Sequence, residues 1–87
     1  MTTESTSAFV YVLRCGDGSL YCGWTTDVER RCAEHAAGTA SRYTRSRLPI
    51  ELAWSRAMPS RRDAMREEAR IKRLSRSEKL LLVARSP

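Results

Sequence analysis

Cysteine is scarce in this chain, histidine occurs once, and asparagine does not occur at all. The three cysteines, Cys15, Cys22 and Cys32, are odd in number and show no CxxC spacing. With His35 as the sole histidine they complete neither a disulfide framework nor a zinc site. Cys22 and Cys32 read instead as small apolar fillers in a reducing compartment, and a cytoplasmic protein, free or nucleoid-associated, is expected. No apolar run approaches the ~20 residues that cross a bilayer, so no membrane partner is expected. Met1–Ser7 is polar and lacks the basic-then-apolar order of a signal peptide. Repeats and low-complexity linkers are missing too. With 87 residues the chain is read as one domain over 8–84, with a flexible tail at 1–7 and a short one at 85–87.

What is abundant is arginine. Sixteen Lys and Arg against ten Asp and Glu leave a net charge of +6. Because the guanidinium fork matches phosphate bidentately, this balance favours a polyanionic partner, most simply nucleic acid. A merely solvated surface is the alternative.

Two β-prone runs, Phe9–Cys15 and Ser19–Trp24, flank Gly16-Asp17-Gly18, a hairpin signal. A two-residue turn would put Tyr11 and Tyr21 on opposite faces. A three-residue loop with Gly18 in the left-handed region pairs Cys15 with Ser19 and Leu13 with Tyr21. Tyr11, Leu13, Tyr21 and Gly23 then share one face, and Val10, Val12, Leu20 and Cys22 the other. We expect the three-residue loop.

A helix is predicted from the Thr26-Asp27-Val28-Glu29 capping pattern to Gly38, with Val28, Arg31, Cys32 and His35 on one stripe. Residues 40–48 have no period and read as a basic loop. After Pro49, the alternation of Ile50, Leu52 and Trp54 predicts a third strand with one buried face. A second helix opens at Ser60 with an apolar arc of Ala64, Met65, Ala69 and Ile71, and Ser75-Arg76-Ser77-Glu78 opens a third. The order β-β-α-β-α-α predicts a two-layer α+β domain on a three-stranded antiparallel sheet, with the first strand, apolar on both faces, in the middle.

Several side chains carry candidate chemistry. Glu68 falls inside the apolar arc of its helix, with Glu67 at the edge. A carboxylate there needs a partner: a metal ion, or Lys72 at i, i+4. Arg31 and His35 lie together on the stripe facing the sheet. Arg31 can hold a phosphate oxygen or snorkel to water; His35 can relay a proton or simply be hydrogen-bonded. Tyr11 and Tyr21 can act on a reacting group, stack on bases, or serve as ordinary strand residues.

Taken in order, these residues resemble the GIY-YIG nuclease domain. Phe9-Val10-Tyr11 and Tyr21-Cys22-Gly23 stand for its two named motifs, followed by Arg31, His35, Tyr43-Thr44, Pro49 and Glu68-Ala69-Arg70-Ile71-Lys72. The resemblance covers about residues 8–84 and is nearest to small stand-alone bacterial members. One departure stands out: some family nucleases place an asparagine late in the domain, and this chain has none.

The resemblance implies an endonuclease that hydrolyses DNA phosphodiesters with one divalent ion, Mg²⁺ or Mn²⁺, held by Glu68. It implies Tyr11 as the base, acting directly or through Tyr21, with Arg31 as the phosphate ligand and either Arg31 or the metal as the cation that lowers the phenol pKa; His35 joins this catalytic set. Gly23 would let the phosphate approach, and Arg30, Arg42, Tyr43, Arg45, Arg47 and Lys72 would bind the nucleic acid. Selection of a branch, flap or single-strand junction in repair or recombination is expected, with targeting by a partner protein as the other route. A catalytically idle nucleic-acid-binding module and a protein-interaction domain are the rival classes.

Overall fold

The computed structural model describes residues 8–85. Of the two expected tails, 1–7, 86 and 87 lie outside the described residues, while Arg85 caps the last helix. Strands β1 (Ala8–Arg14), β2 (Leu20–Thr25) and β3 (Glu51–Met58) form an antiparallel sheet of order β2-β1-β3. Four helices complete the chain: α1 (Val28–Ala36), the four-residue α2 (Arg42–Arg45), α3 (Arg61–Lys72) and α4 (Arg76–Ala84).

The hairpin takes the three-residue form. Gly18 has φ 86°, the Cys15 amide donates to the Ser19 carbonyl at 2.9 Å, and Leu13 pairs with Tyr21. Asp17 braces the turn by accepting from the Ser19 amide and hydroxyl. With this register, Val10, Val12 and Cys22 bury against Trp54 and Ile71, and Leu20, Met58, Leu74, Leu82 and Val83 close the rim of that core. Tyr11 and Leu13 point the other way and are just as buried. Since β1 is apolar on both sides, helices cover both: α3 and α4 pack on the Val10 face, and α1 sends His35 onto the Tyr11 face. The sheet therefore has helical cover on both of its faces.

The α+β class and the element order hold, and four details differ. Asp27, not Thr26, caps α1, accepting from the Arg30 amide. The basic loop contains α2, nucleated by Ser41, whose hydroxyl accepts from the Thr44 amide. The alternation in β3 fails at a bulge: Val12 pairs with Trp54 but Leu13 with Leu52, so Ala53 is the extra residue and Leu52 is turned out, 44 % exposed. On α3 the sheet-facing stripe is Ala64, Glu67, Glu68 and Ile71, at i, i+3, i+4 and i+7, which leaves Met65 and Ala69 exposed. The α4 capping box is present as expected.

Candidate active site

The odd-numbered face of the hairpin carries Tyr11, and α1 delivers His35 to it. The Tyr11 hydroxyl and His35 Nε2 are 2.9 Å apart, and both residues are buried. The other ring nitrogen, Nδ1, lies 2.8 Å from the Thr44 hydroxyl, which is also buried and meets the Ser41 hydroxyl at 2.9 Å. A hydrogen-bonded chain thus runs Tyr11–His35–Thr44–Ser41 from the sheet to the start of α2. Gly23 makes room for it, since an ideal Cβ there would sit 2.5 Å from the Tyr11 hydroxyl oxygen. The gap expected to admit a phosphate is filled by the phenol itself.

A second set of contacts stacks outward from the same histidine. The Tyr21 ring lies 5.1 Å from His35 and 5.6 Å from Tyr43, and the Arg47 guanidinium covers Tyr43 at 3.8 Å. Arg47 Nε also donates to Asp17 Oδ2 at 3.0 Å, bridging back to the hairpin turn. Tyr43 is therefore flanked by Tyr21 and Arg47, and much of Arg47 is engaged within the protein.

Arg31 reaches the Tyr11 phenol and donates to Glu34 Oε1 at 2.9 Å. It lines a cleft of about 390 Å³ shared with Trp24, Thr26, Asp27, Arg30 and Arg61. Arg30 is exposed there, 3.5 Å from Glu34. A guanidinium was expected to lower the Tyr11 pKa. It does pull that way, but burial is the larger effect and pushes the phenol up to about 12. Burial, seconded by the positive charge of Arg31, holds His35 below the ordinary histidine value. Near neutral pH the pair is thus a neutral phenol against a neutral imidazole.

Glu68 stands apart from this cluster. It lies on the sheet-facing side of α3, where its charge acts on Cys22, and its carboxylate is 3.4 Å from the Lys72 ammonium. Glu67 is the less exposed of the two carboxylates, with both oxygens on Arg70 and Arg56 at 3.8 Å. Among the described residues no three His, Cys, Asp or Glu side chains gather as a metal cage. A single carboxylate nevertheless fits Mg²⁺, which keeps several waters and takes one or two carboxylates together with substrate phosphates. Glu68 and the tyrosine cluster flank opposite faces of the edge strand β2 at adjacent residues, Cys22 and Gly23.

Tyr11, Tyr21, Arg31, His35, Tyr43 and Arg47 are thus brought together. Glu68 and Lys72 form a separate pair. Arg42 and Arg45 line an open cleft of about 370 Å³ with Gly38–Ser41. The expected site set omits Thr44, because the loop around it has no period. The available signal was Ser41, an N-cap residue three positions upstream that marks a helical turn.

Comparison with known proteins agrees with this architecture. The chain matches the GIY-YIG catalytic domain over residues 7–80. A UPF0213 protein of Halobacterium salinarum is 53% identical over 70 residues, covering 80% of this chain and 91% of its own. The solution NMR structure of the UPF0213 protein BH0048 from Bacillus halodurans superposes with a TM-score of 0.59 at 48% identity, covering 91% of this chain and 84% of that one. That of EF2693 from E. faecalis gives 0.62 at 38%, covering 92% and 85%. A buried tyrosine under a glycine of the edge strand, an arginine beside it and a carboxylate across that strand sit here on a domain matched over nearly its whole length, and the chain belongs to the GIY-YIG family.

Proposed function

We propose that the protein is an endonuclease that hydrolyses phosphodiesters in DNA, choosing branches, flaps or single-strand junctions in repair or recombination. The observation that carries this reading is the 2.9 Å contact of Tyr11 with His35 beside Arg31. Arg31 holds a non-bridging oxygen of a phosphate lying along the edge of β2. Tyr11 is 1% exposed with Arg31 as a hydrogen-bond partner of its phenol, so this reading requires the phosphate to draw Arg31 aside and admit the attacking water. A water then attacks phosphorus, giving its proton to the Tyr11 oxygen as the phenol's own proton passes to His35 Nε2. The phenol stays neutral throughout, so its high pKa is no obstacle; a solvent water protonates the leaving oxygen, and the imidazolium, enclosed between Tyr11 and Thr44, returns its proton to solvent through the Tyr11 hydroxyl. Glu68 would hold a Mg²⁺ or Mn²⁺ ion, which when bound neutralises charge on the phosphate and the leaving oxygen. The exposed arginines of the surface, Arg30, Arg42 and Arg45, attract the backbone with little regard to sequence.

A nicking assay on supercoiled and branched DNA with Mg²⁺ tests this, comparing the wild type with Glu68→Ala and Arg31→Ala. Cleavage by the wild type and its loss in both variants is expected. The burial of Tyr11 favours one second reading, a nucleic-acid-binding module with an idle site. Equal inertness of all three proteins, with salt-dependent DNA binding intact, would establish that reading instead.

A further inference from the structure

The four-residue helix α2 cannot hold its shape unaided, yet it carries the two residues that meet the His35 environment from outside: Tyr43 through Tyr21, and Thr44 through Nδ1. What seats it is Arg47. The Arg47 carbonyl accepts from the Gly16 amide at 2.7 Å, and its Nε donates to Asp17 Oδ2 at 3.0 Å, fastening the end of the segment to the hairpin turn. Its Nη1 donates to the Tyr43 carbonyl at 3.0 Å and to the Ser46 hydroxyl at 3.2 Å, while the guanidinium plane covers the Tyr43 ring. The turn and the segment touch closely enough that a Cβ on Gly16 would meet the Leu48 carbonyl oxygen. Arg47 thus works inward, against the expectation that it binds DNA.

The consequence falls on His35. Thr44 has one hydroxyl proton, and Ser41 offers two acceptors for it, its hydroxyl at 2.9 Å and its carbonyl at 3.5 Å. When Thr44 donates to Ser41, its oxygen lone pair is free for an N–H at His35 Nδ1. A neutral imidazole carries one N–H, so Nε2 is then the acceptor facing the Tyr11 hydroxyl. We propose that Thr44 and Arg47 are positioning residues: Arg47, anchored on Asp17, seats Thr44 on His35 and so selects the Nδ1–H tautomer that accepts the proton of Tyr11. This rests on the nuclease reading for its use in catalysis, but the tautomer is a property of the folded protein alone.

Two readouts keep the proposals apart. Long-range ¹H–¹⁵N spectra of the free protein report which ring nitrogen carries the hydrogen. The wild type is expected to show Nδ1–H; Thr44→Val should shift the population to Nε2–H, Thr44→Ser should restore it, and Arg47→Ala should give a mixture with the fold intact. In binding to duplex DNA, Arg47→Ala should leave the slope of log K against log salt unchanged, whereas loss of a phosphate contact flattens it by about 0.9. In the nicking assay, Thr44→Val and Arg47→Ala should lower kcat roughly 100-fold at constant KM, the low end of proton-transfer effects. An Nε2–H wild type, or an Arg47→Ala protein with the wild-type tautomer and a flattened salt slope, overturns the proposal. If Thr44→Val fails to fold, Thr44→Ser and Arg47→Ala still decide it. An inert wild type with the expected tautomer shifts refutes the nuclease and upholds the positioning.

Discussion

The hydroxyl of Tyr11 occupies the volume that a side chain on Gly23 would need, 2.5 Å from an ideal Cβ, and that packing seals the phenol against His35 on the far side. The glycine of the second motif and the tyrosine of the first are thereby a single packing unit across neighbouring strands.

Gly23→Ala therefore forces Tyr11 off His35. Overpacking of this kind costs about 1–3 kcal/mol. A lower urea midpoint is expected, together with loss of the Tyr11–His35 hydrogen bond by NMR. A variant as stable as the wild type with that bond intact would show that the strand yields instead of the phenol.

Tyr11 also marks itself at high pH. Burial raises its folded pKa from 10.0 to about 12, so the neutral phenol contributes stability that is complete below 10.0 and is lost as pH rises through about 12. Phenolate absorbance should show one late ionisation that Tyr11→Phe removes.

His35 acts at the other end of the scale. Its folded pKa lies below the ordinary 6.5 because burial opposes the charged ring. The unfolded chain therefore protonates first as pH falls. Stability from the neutral ring is whole above 6.5 and declines as pH drops from there through the folded value. The urea midpoint of the wild type should fall between ~pH 7 and ~pH 5, and His35→Gln should flatten that fall. With one histidine in the chain, the assignment is unambiguous.

Arg42 and Arg45 remain exposed, and no ion pair with either is found among the described residues. Replacing either by alanine should flatten the salt dependence of DNA binding by about 0.9 per lost phosphate contact. Slopes measured by fluorescence anisotropy across a salt series would check this, and unchanged slopes would move the nucleic-acid surface elsewhere.

Local chemistry made much of this protein legible from its sequence. Gly16-Asp17-Gly18 with alternating apolar runs set the hairpin register, because only one loop length buries Val10, Val12 and Cys22 together. Serines at 60 and 75 announced their helices by capping them. Where the sequence misled, a non-local contact had overridden the local pattern. The bulge at Ala53 turned Leu52 outward, and on α3 the sheet kept Glu68 inward as expected but took Glu67 beside it and left Met65 and Ala69 to solvent.

By itself the sequence carried the family through the resemblance of its ordered motifs, while residue type and period set the sheet order, put Tyr11 and Tyr21 on one face of the hairpin and put Arg31 beside His35 on the sheet-facing stripe of α1. Only the tertiary structure decided what those neighbours do to one another. Whether a phenol beside an arginine has a lowered or raised pKa depends on how much water surrounds it, and burial prevails here. Whether Arg47 faces DNA or Tyr43 depends on Asp17, thirty residues away in the chain and 3.0 Å away in space. Desolvation and long-range contact are properties of the assembled fold, and no spacing in the sequence encodes their balance.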